Sequence, residues 1–128
     1  DIDIGQIEGA FVQGMGWLTT EDLQWNDRGQ LASFGPANYK IPAIGDTPAE
    51  FNVNLYNSAN PETTVFRSKA VGEPPFMLAF SVWSAIRNAI SSVADYKYTA
   101  PQDTPATPER VLSAIEQTAS WFKEHQHD

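Results

Sequence analysis

Apolar residues recur at helical spacing in three segments of the chain. Intervals of three and four residues define a stripe near the start: Ile4, Ile7, Phe11, Met15 and Leu18. A second apolar run covers residues 76–93, and a third follows Thr107, which can cap a helix whose first residue is Pro108. The pattern therefore predicts three main helices, of which the second is long and largely buried.

Strand-like patterns lie between the first two predicted helices. Residues 23–25 and 30–32 flank Asn26-Asp27-Arg28-Gly29, a turn-forming sequence, and predict a hairpin. Residues 51–56 alternate strictly between apolar and polar side chains, and residues 64–66 form a short apolar run. The sequence therefore predicts an α+β fold with three main helices, a hairpin and one or two further strands.

The 128 residues, 41% of them hydrophobic, have the composition of a globular protein rather than a disordered tail. We assign residues 1–95 to one structural part, residues 96–108 to a proline-rich, semi-extended connector, and residues 109–128 to a C-terminal helix and tail. The first residues, Asp1-Ile2-Asp3-Ile4, show neither an initiator methionine nor a secretory signal. We therefore interpret the chain as a processed or partial polypeptide and not as an independent domain.

Composition excludes several kinds of site. With no cysteine, the chain can hold neither a thiolate zinc site nor a cysteine-ligated iron–sulfur cluster. A net charge of −8 argues against nucleic-acid binding, and the absence of a long apolar run argues against a membrane span. The two histidines, His125 and His127, lie in a tail expected to fray from Lys123 onward. A solvated tail is favoured over a weak H-x-H metal site, so we expect no metal ligand. We also expect a cytoplasmic protein.

Glu73 is the best candidate for chemistry. It follows Gly72 and precedes Pro74 and Pro75, between a predicted strand and the long predicted helix. The prolines restrict the backbone, and a helix N-terminus favours the ionised carboxylate. Desolvation by apolar neighbours favours the protonated form, and such opposing effects suit a general base near neutral pH. A glutamate that merely caps the helix is the alternative.

Four glycines occur within the first predicted helix: Gly5, Gly9, Gly14 and Gly16. Each helix-interior glycine costs about 1 kcal/mol relative to alanine. Either the helix packs closely on another element, or a ligand or a second backbone approaches this surface. Gln6 lies among the glycines, and its amide can both donate and accept hydrogen bonds. An ordinary surface glutamine is the alternative.

Two motifs resemble the molybdenum hydroxylases. Residues 5–16, Gly-Gln-Ile-Glu-Gly-Ala-Phe-Val-Gln-Gly-Met-Gly, resemble a signature stretch of that family. Residues 68–76, Ser-Lys-Ala-Val-Gly-Glu-Pro-Pro-Phe, are similar to the active-site loop of the xanthine dehydrogenases and oxidases. The resemblance spans almost the whole chain in one order, with shorter matches at residues 35–36, 39–43, 48–51 and 105–109.

The resemblance implies that the chain is the C-terminal part of a molybdopterin-binding subunit or domain. It implies an enzyme that hydroxylates hypoxanthine to xanthine and xanthine to urate and is active only when assembled. Matched residue by residue, Glu73 is the catalytic base, and Gln6 and Gly72 belong to the cofactor-binding site. The implied cofactor is molybdenum-molybdopterin, shared with a missing portion. FAD, [2Fe-2S] clusters and the electron acceptor NAD are implied on other parts of the enzyme, such as an iron–sulfur/FAD subunit.

Two other functions stay open. Aldehyde oxidases resemble this sequence but usually lack the double proline, so Pro74-Pro75 favours purine oxidation. The residues that orient the purine in relatives have no matching positions here. The remaining alternative is a non-catalytic structural or binding domain. A monomeric, cooperatively folding product of residues 1–128 alone would favour it.

Overall fold

The computed structural model describes residues 1–126, and helices dominate it. The elements, in chain order, are α1 (Ile2–Thr19), a 3₁₀ turn (Ile44–Asp46), a second 3₁₀ turn (Val65–Arg67), α2 (Pro74–Met77), α3 (Phe80–Ser92) and α4 (Pro108–Glu124). α1 packs against α2 and α3, and α3 packs against α4. None of the helices within the described residues is long and apolar enough to cross a membrane.

The predicted α+β fold class is wrong, because residues 1–126 are 46% helical and only 2% strand and form no sheet. The predicted hairpin is reduced to a single antiparallel bridge between Trp25 and Leu31. Residues 51–56 have no assigned secondary structure, and residues 65–66 belong to a 3₁₀ turn. Alternation decides which side chains share a face, but a strand also needs a neighbouring segment that supplies hydrogen-bond partners. The described part of the chain supplies no such segment.

The three longer helices lie in the segments where the periodicity predicts helices. The run at 76–93 is divided, because α2 ends at Met77 and α3 begins at Phe80. The predicted cap of α4 is confirmed: the Thr107 hydroxyl accepts a hydrogen bond from the backbone N–H of Arg110 at 3.4 Å, and Pro108 is the first helical residue. The start of α4 was predictable because a helix cap depends on residues that are neighbours in sequence.

The C-terminal helix extends further than its sequence indicates. α4 continues to Glu124, although the tail was expected to fray from Lys123. The His125 ring stacks on Trp121 with 4.5 Å between ring centroids, and its Nδ1 lies 2.8 Å from the Trp121 carbonyl oxygen. His127, the other member of the H-x-H pair, lies outside the described residues.

α1 and α2 approach each other closely at Gly14. A Cβ atom added there would overlap the carbonyl oxygen of Phe76 and lie 2.7 Å from the Cβ of Ala79. Beside this contact, Trp17 meets Phe76 edge to face, with 5.1 Å between ring centroids. Gly16 is similarly enclosed by Glu21 and a proline ring. Close packing therefore explains two of the four glycines in α1.

The connector between α3 and α4 forms part of the core. Ala100 packs with Ile90 of α3 and Ala114 of α4, and all three are buried. The backbone N–H of Ala100 donates to the buried Thr118 hydroxyl at 3.2 Å. The backbone N–H of Ala106 donates to the Leu18 carbonyl oxygen at 2.7 Å, which joins the connector to α1. Residues 96–108 thus contact α1, α3 and α4.

Polar contacts hold the residues that follow α1. Glu21 is buried, with 7% of its surface exposed, and its carboxylate accepts a hydrogen bond from the Tyr39 hydroxyl. This hydrogen bond raises the pKa of Tyr39 above 10.0, and burial and the negative charge of Glu21 act in the same direction. Asp22 forms an ion pair with Arg110 of α4 at 3.3 Å. The end of α1 is therefore tied to both the 39–41 loop and α4.

The fold leaves an unusually large area exposed to solvent. Its accessible surface is 9729 Å², whereas a globular monomer of 14.1 kDa exposes about 6,700 Å². Several large apolar side chains contribute to the difference, including Ile44 at 95% exposure and Phe66 at 98%. The excess of about 3,000 Å² supports the interpretation that this chain is not a complete folding unit.

Replacing Gly14 with alanine is expected to destabilise the contact between α1 and α2. The added methyl group collides with the Phe76 backbone, and overpacking of this kind costs about 1–3 kcal/mol. The cost is measured as faster hydrogen exchange of the α1 amides in the assembled protein. Gln13→Ala is the matched control, because Gln13 is an exposed residue of the same helix. Equal exchange rates in the two variants would contradict this account.

The raised pKa of Tyr39 predicts a loss of stability in alkali. The unfolded chain releases the tyrosine proton near pH 10, whereas the folded chain releases it at a higher pH. The associated stabilisation is therefore complete below pH 10 and falls as pH rises through the folded-state pKa. Thermal unfolding between pH 8 and pH 11 measures this effect. Tyr39→Phe should flatten the alkaline decline, while Tyr96→Phe, at an exposed position, should leave it unchanged.

Candidate functional site

The predicted catalytic loop has a fixed backbone. Gly72 has a φ of 68°, in the left-handed region that glycine adopts without a steric penalty. Glu73 then occupies the N-cap position of α2, and its carbonyl oxygen accepts a hydrogen bond from the Phe76 N–H at 2.9 Å. Pro74 is the first residue of α2. The backbone on either side of Glu73 is therefore restricted by local geometry.

The Glu73 side chain is free, although its backbone is fixed. It is exposed to solvent and makes no hydrogen bond to the N-terminus of α2. Within residues 1–126 its carboxylate forms no ion pair either. The helix-capping alternative is therefore not supported. The apolar surroundings expected from the sequence are also not provided by this chain, which leaves the carboxylate available to a group outside it.

Gln6 lies on an open part of α1. The residue is exposed, and no atom lies within 4 Å of a Cβ added at the neighbouring Gly5 or at Gly9. The two glycines near the start of α1 thus differ from Gly14 and Gly16, which are packed against other parts of the chain. Packing within this chain gives no reason for the absence of side chains at positions 5 and 9.

A cavity of about 300 Å³ lies between the elements that carry these residues. Its walls come from α1, from the segment after residue 50 and from the start of α2: Ile7, Phe11, Phe51, Asn52, Val53, Asn54, Pro75 and Leu78. Phe11 and Phe51 are in contact, with 5.3 Å between ring centroids. Ile7 directly follows Gln6, and Pro75 comes two residues after Glu73. The structure therefore brings the two motifs to one cavity, although Gln6, Gly72 and Glu73 do not line it.

The sequence did not identify the residues that line this cavity. The alternation of apolar and polar side chains in residues 51–56 predicts a strand with one buried face, not the wall of a cavity. In the structure both apolar and polar members of the alternation, Val53 and Asn54 among them, line the cavity. A contact with α1, which is distant in sequence, produces this arrangement, and the local sequence pattern does not indicate it. Among the described residues, no three His, Cys, Asp or Glu side chains form a group that could hold a metal ion.

Comparison with known proteins finds extensive similarity to one group of enzymes. Residues 1–48 match a family described as "Molybdopterin cofactor-binding domain". The chain is 51% identical over 120 residues to the xanthine dehydrogenase/oxidase of Gallus gallus, covering 91% of this chain and 9% of that protein. Xanthine dehydrogenase 1 of Arabidopsis thaliana is 50% identical over 127 residues, covering 88% of this chain and 9% of that protein. Aldehyde oxidase 2 of Macaca fascicularis is 47% identical over 116 residues, with the same two coverages.

A solved structure has a similar fold. The quinoline 2-oxidoreductase of Pseudomonas putida 86 superposes with a TM-score of 0.73 at 25% identity. The match covers 89% of this chain but only 14% of that protein. The chain thus spans 9% of the length of the curated relatives, and its fold lies within a much longer chain in the solved relative. On this evidence the chain belongs to the xanthine dehydrogenase family of molybdenum hydroxylases.

Proposed function

We propose that this chain is the base-bearing part of a xanthine dehydrogenase, which hydroxylates hypoxanthine to xanthine and xanthine to urate. Glu73 is the catalytic base in this proposal. One observation supports this role most directly. The Glu73 backbone is restricted between Gly72 and Pro74, while its carboxylate is exposed and forms no ion pair within residues 1–126. An exposed carboxylate on a restricted backbone can reach a group outside the chain, as a base in this position must.

The residues present fit a large organic cofactor. α1 offers an open surface at Gly5 and Gly9, where a flat ligand could approach the backbone without meeting a side chain. The exposed Gln6 amide offers both donors and an acceptor beside that surface. Gly72 provides a second stretch of backbone without a side chain. These residues would contact molybdopterin, while its remaining contacts would come from parts of the enzyme beyond this chain.

The proposed reaction needs a base more than it needs a nucleophile from the protein. Hydroxylation replaces the hydrogen of a purine C–H bond with an oxygen derived from water, so the attacking oxygen loses a proton to a base and the carbon gives up its hydrogen together with two electrons. When bound, the molybdenum cofactor supplies the redox chemistry and accepts the electrons. Glu73 takes the proton, and the restricted loop backbone holds its carboxylate near one position. This assignment explains how a chain with no cysteine and no histidine near the loop can serve an oxidoreductase.

The remaining functions of the enzyme are assigned to other parts of it. The chain has no cysteine, so [2Fe-2S] clusters, together with FAD and the NAD site, would lie on other domains or on an iron–sulfur/FAD subunit. The rest of the molybdenum subunit would complete the purine site. In this proposal the assembled enzyme acts in cytoplasmic purine catabolism.

Aldehyde oxidation is the second candidate, because an aldehyde oxidase is 47% identical to this chain. The double proline Pro74-Pro75 favours the purine reaction, since aldehyde oxidases usually lack it. Rates with xanthine and with an aromatic aldehyde, measured on the assembled enzyme, distinguish the two functions. A higher kcat/KM for the aldehyde would replace the purine proposal with the aldehyde one.

Replacing Glu73 with glutamine should abolish most of the turnover. Glutamine keeps the size of the side chain but cannot accept the proton, and loss of a general base costs roughly 10²–10⁴-fold in rate. The measurement is kcat with xanthine in the assembled enzyme, with molybdenum content determined on the same sample. Glu62→Gln, at another exposed glutamate, is the matched control. Normal molybdenum content with less than about a tenfold loss of rate would show that Glu73 is not the base.

Substitutions on the open surface of α1 should affect the cofactor rather than the fold. Gly9→Ala adds a methyl group where no atom of this chain lies within 4 Å, and alanine favours the helix by about 1 kcal/mol. Reduced molybdenum content in this variant, and in Gln6→Ala, would therefore report contact with the cofactor. Gly45→Ala, which is also unobstructed, should leave the content unchanged. Normal molybdenum content and activity in both α1 variants would remove this helix from the cofactor site.

A further inference from the structure

The segment 52–68, directly before the catalytic loop, forms nearly all of its hydrogen bonds within itself. In the described part of the chain, its hydrogen bonds connect its own residues or reach Glu50. The Asn60 amide donates to the Thr64 hydroxyl at 3.3 Å and to the Arg67 carbonyl oxygen at 3.2 Å. These bonds close a turn that presents Val65 and Phe66. The turn is thus ordered locally without being docked on the helices by hydrogen bonds.

The same segment presents large apolar side chains to solvent. Two adjacent pairs are exposed: Leu55 at 58% and Tyr56 at 93%, and Val65 at 79% and Phe66 at 98%. Glu62 is the only charged residue between residues 51 and 66, in a chain of net charge −8. Few charges and exposed aromatic side chains are typical of the core of a protein interface. We call these four residues the apolar patch.

The backbone at the patch is also strained. Phe66 and Arg67 have φ values of 53° and 54°, in the left-handed region that non-glycine residues rarely adopt. The hydrogen bond from the Asn60 amide to the Arg67 carbonyl oxygen holds this conformation. The turn thereby keeps Phe66 almost fully exposed, where another surface can reach it.

We propose that the apolar patch docks on the remaining portion of the molybdenum subunit and thereby orients the loop that carries Glu73. Three residues separate Arg67 from Val71, so fixing Phe66 restricts the path of the chain toward Gly72 and Glu73. The inference rests on the proposed function for the role of Glu73. The evidence for docking itself is the exposed apolar side chains and the solvent-accessible area above that of a globular monomer.

The size of the exposed surface argues against a second copy of this chain as the occupant. The excess over a globular monomer is about 3,000 Å², whereas a standard interface buries about 800 Å² on each partner. One interface of that size would leave most of the excess exposed, which favours a larger covering portion over a second copy. In the related solved structure the matching fold is 14% of a longer chain, so that relative has a further portion much larger than this chain.

Hydrogen exchange on the assembled enzyme tests the proposal without any substitution. The backbone N–H groups of Leu55, Tyr56 and Phe66 donate no hydrogen bond within the described residues. If the patch is docked, these amides should exchange about tenfold or more slowly than in a free peptide of residues 51–67. Exchange at the rate of the peptide would overturn the proposal. Protection that is lost when the enzyme is diluted would assign the patch to a second copy and would also overturn the proposal.

Paired substitutions supply an independent readout. Tyr56→Ser combined with Phe66→Ser should lower the recovery of folded, molybdenum-containing enzyme by at least about fivefold, because both aromatic contacts are lost. Leu112→Gln, which changes a 56% exposed apolar residue on α4, is the matched control and should assemble normally. Equal recovery of the double variant and the control would contradict docking through the patch. The exchange measurement on the unaltered enzyme stays decisive if the double variant does not fold.

The two proposals fail in different ways. Slow exchange at the patch in an enzyme that does not oxidise purines would reject the proposed substrate and keep the docking surface. Rapid exchange at the patch in an enzyme that depends on Glu73 would keep the base and reject the docking surface.

Discussion

The close approach of α1 and α2 at Gly14 is the contact on which the arrangement of the site depends. About fifty residues of mostly irregular chain separate the two helices, and such a segment cannot set their relative position. The absence of a side chain at Gly14 lets the Phe76 backbone touch α1 directly. Since α1 carries Gln6 and α2 begins after Glu73, this one contact brings the two motifs to a shared cavity.

The features that could be predicted from the sequence are those that depend on near neighbours. The three longer helices follow from their periodicity, and the Thr107–Pro108 start of α4 follows from capping chemistry. The predicted strands failed because pairing depends on a segment distant in sequence. The glycines of α1 illustrate the same limit, because close packing and an open surface are both consistent with glycine. Only the structure separates Gly14, which is enclosed, from Gly9, which is not.

At the candidate site, too, only the local backbone geometry could be predicted from the sequence. The Gly72–Glu73–Pro74 sequence predicts a restricted turn, and its geometry is local. The expected desolvation of Glu73 required neighbouring aromatic rings to face it. Phe76 instead packs against Trp17, at the α1 contact, and leaves the carboxylate in solvent. Helical spacing shows that a ring is present but does not show what lies opposite it, so the environment of Glu73 could not be derived.

Exposure of Glu73 and the excess of apolar surface have a common explanation. A base that works in a water-excluded site needs a fixed backbone and a surrounding of low polarity. This chain supplies the first through Gly72 and Pro74, and it lacks the second. If the portion that covers Phe66 also encloses the loop, then assembly and the completion of the site are the same event. If Glu73 is the base, as proposed, this division keeps its carboxylate from acting before the cofactor and the substrate site are in place.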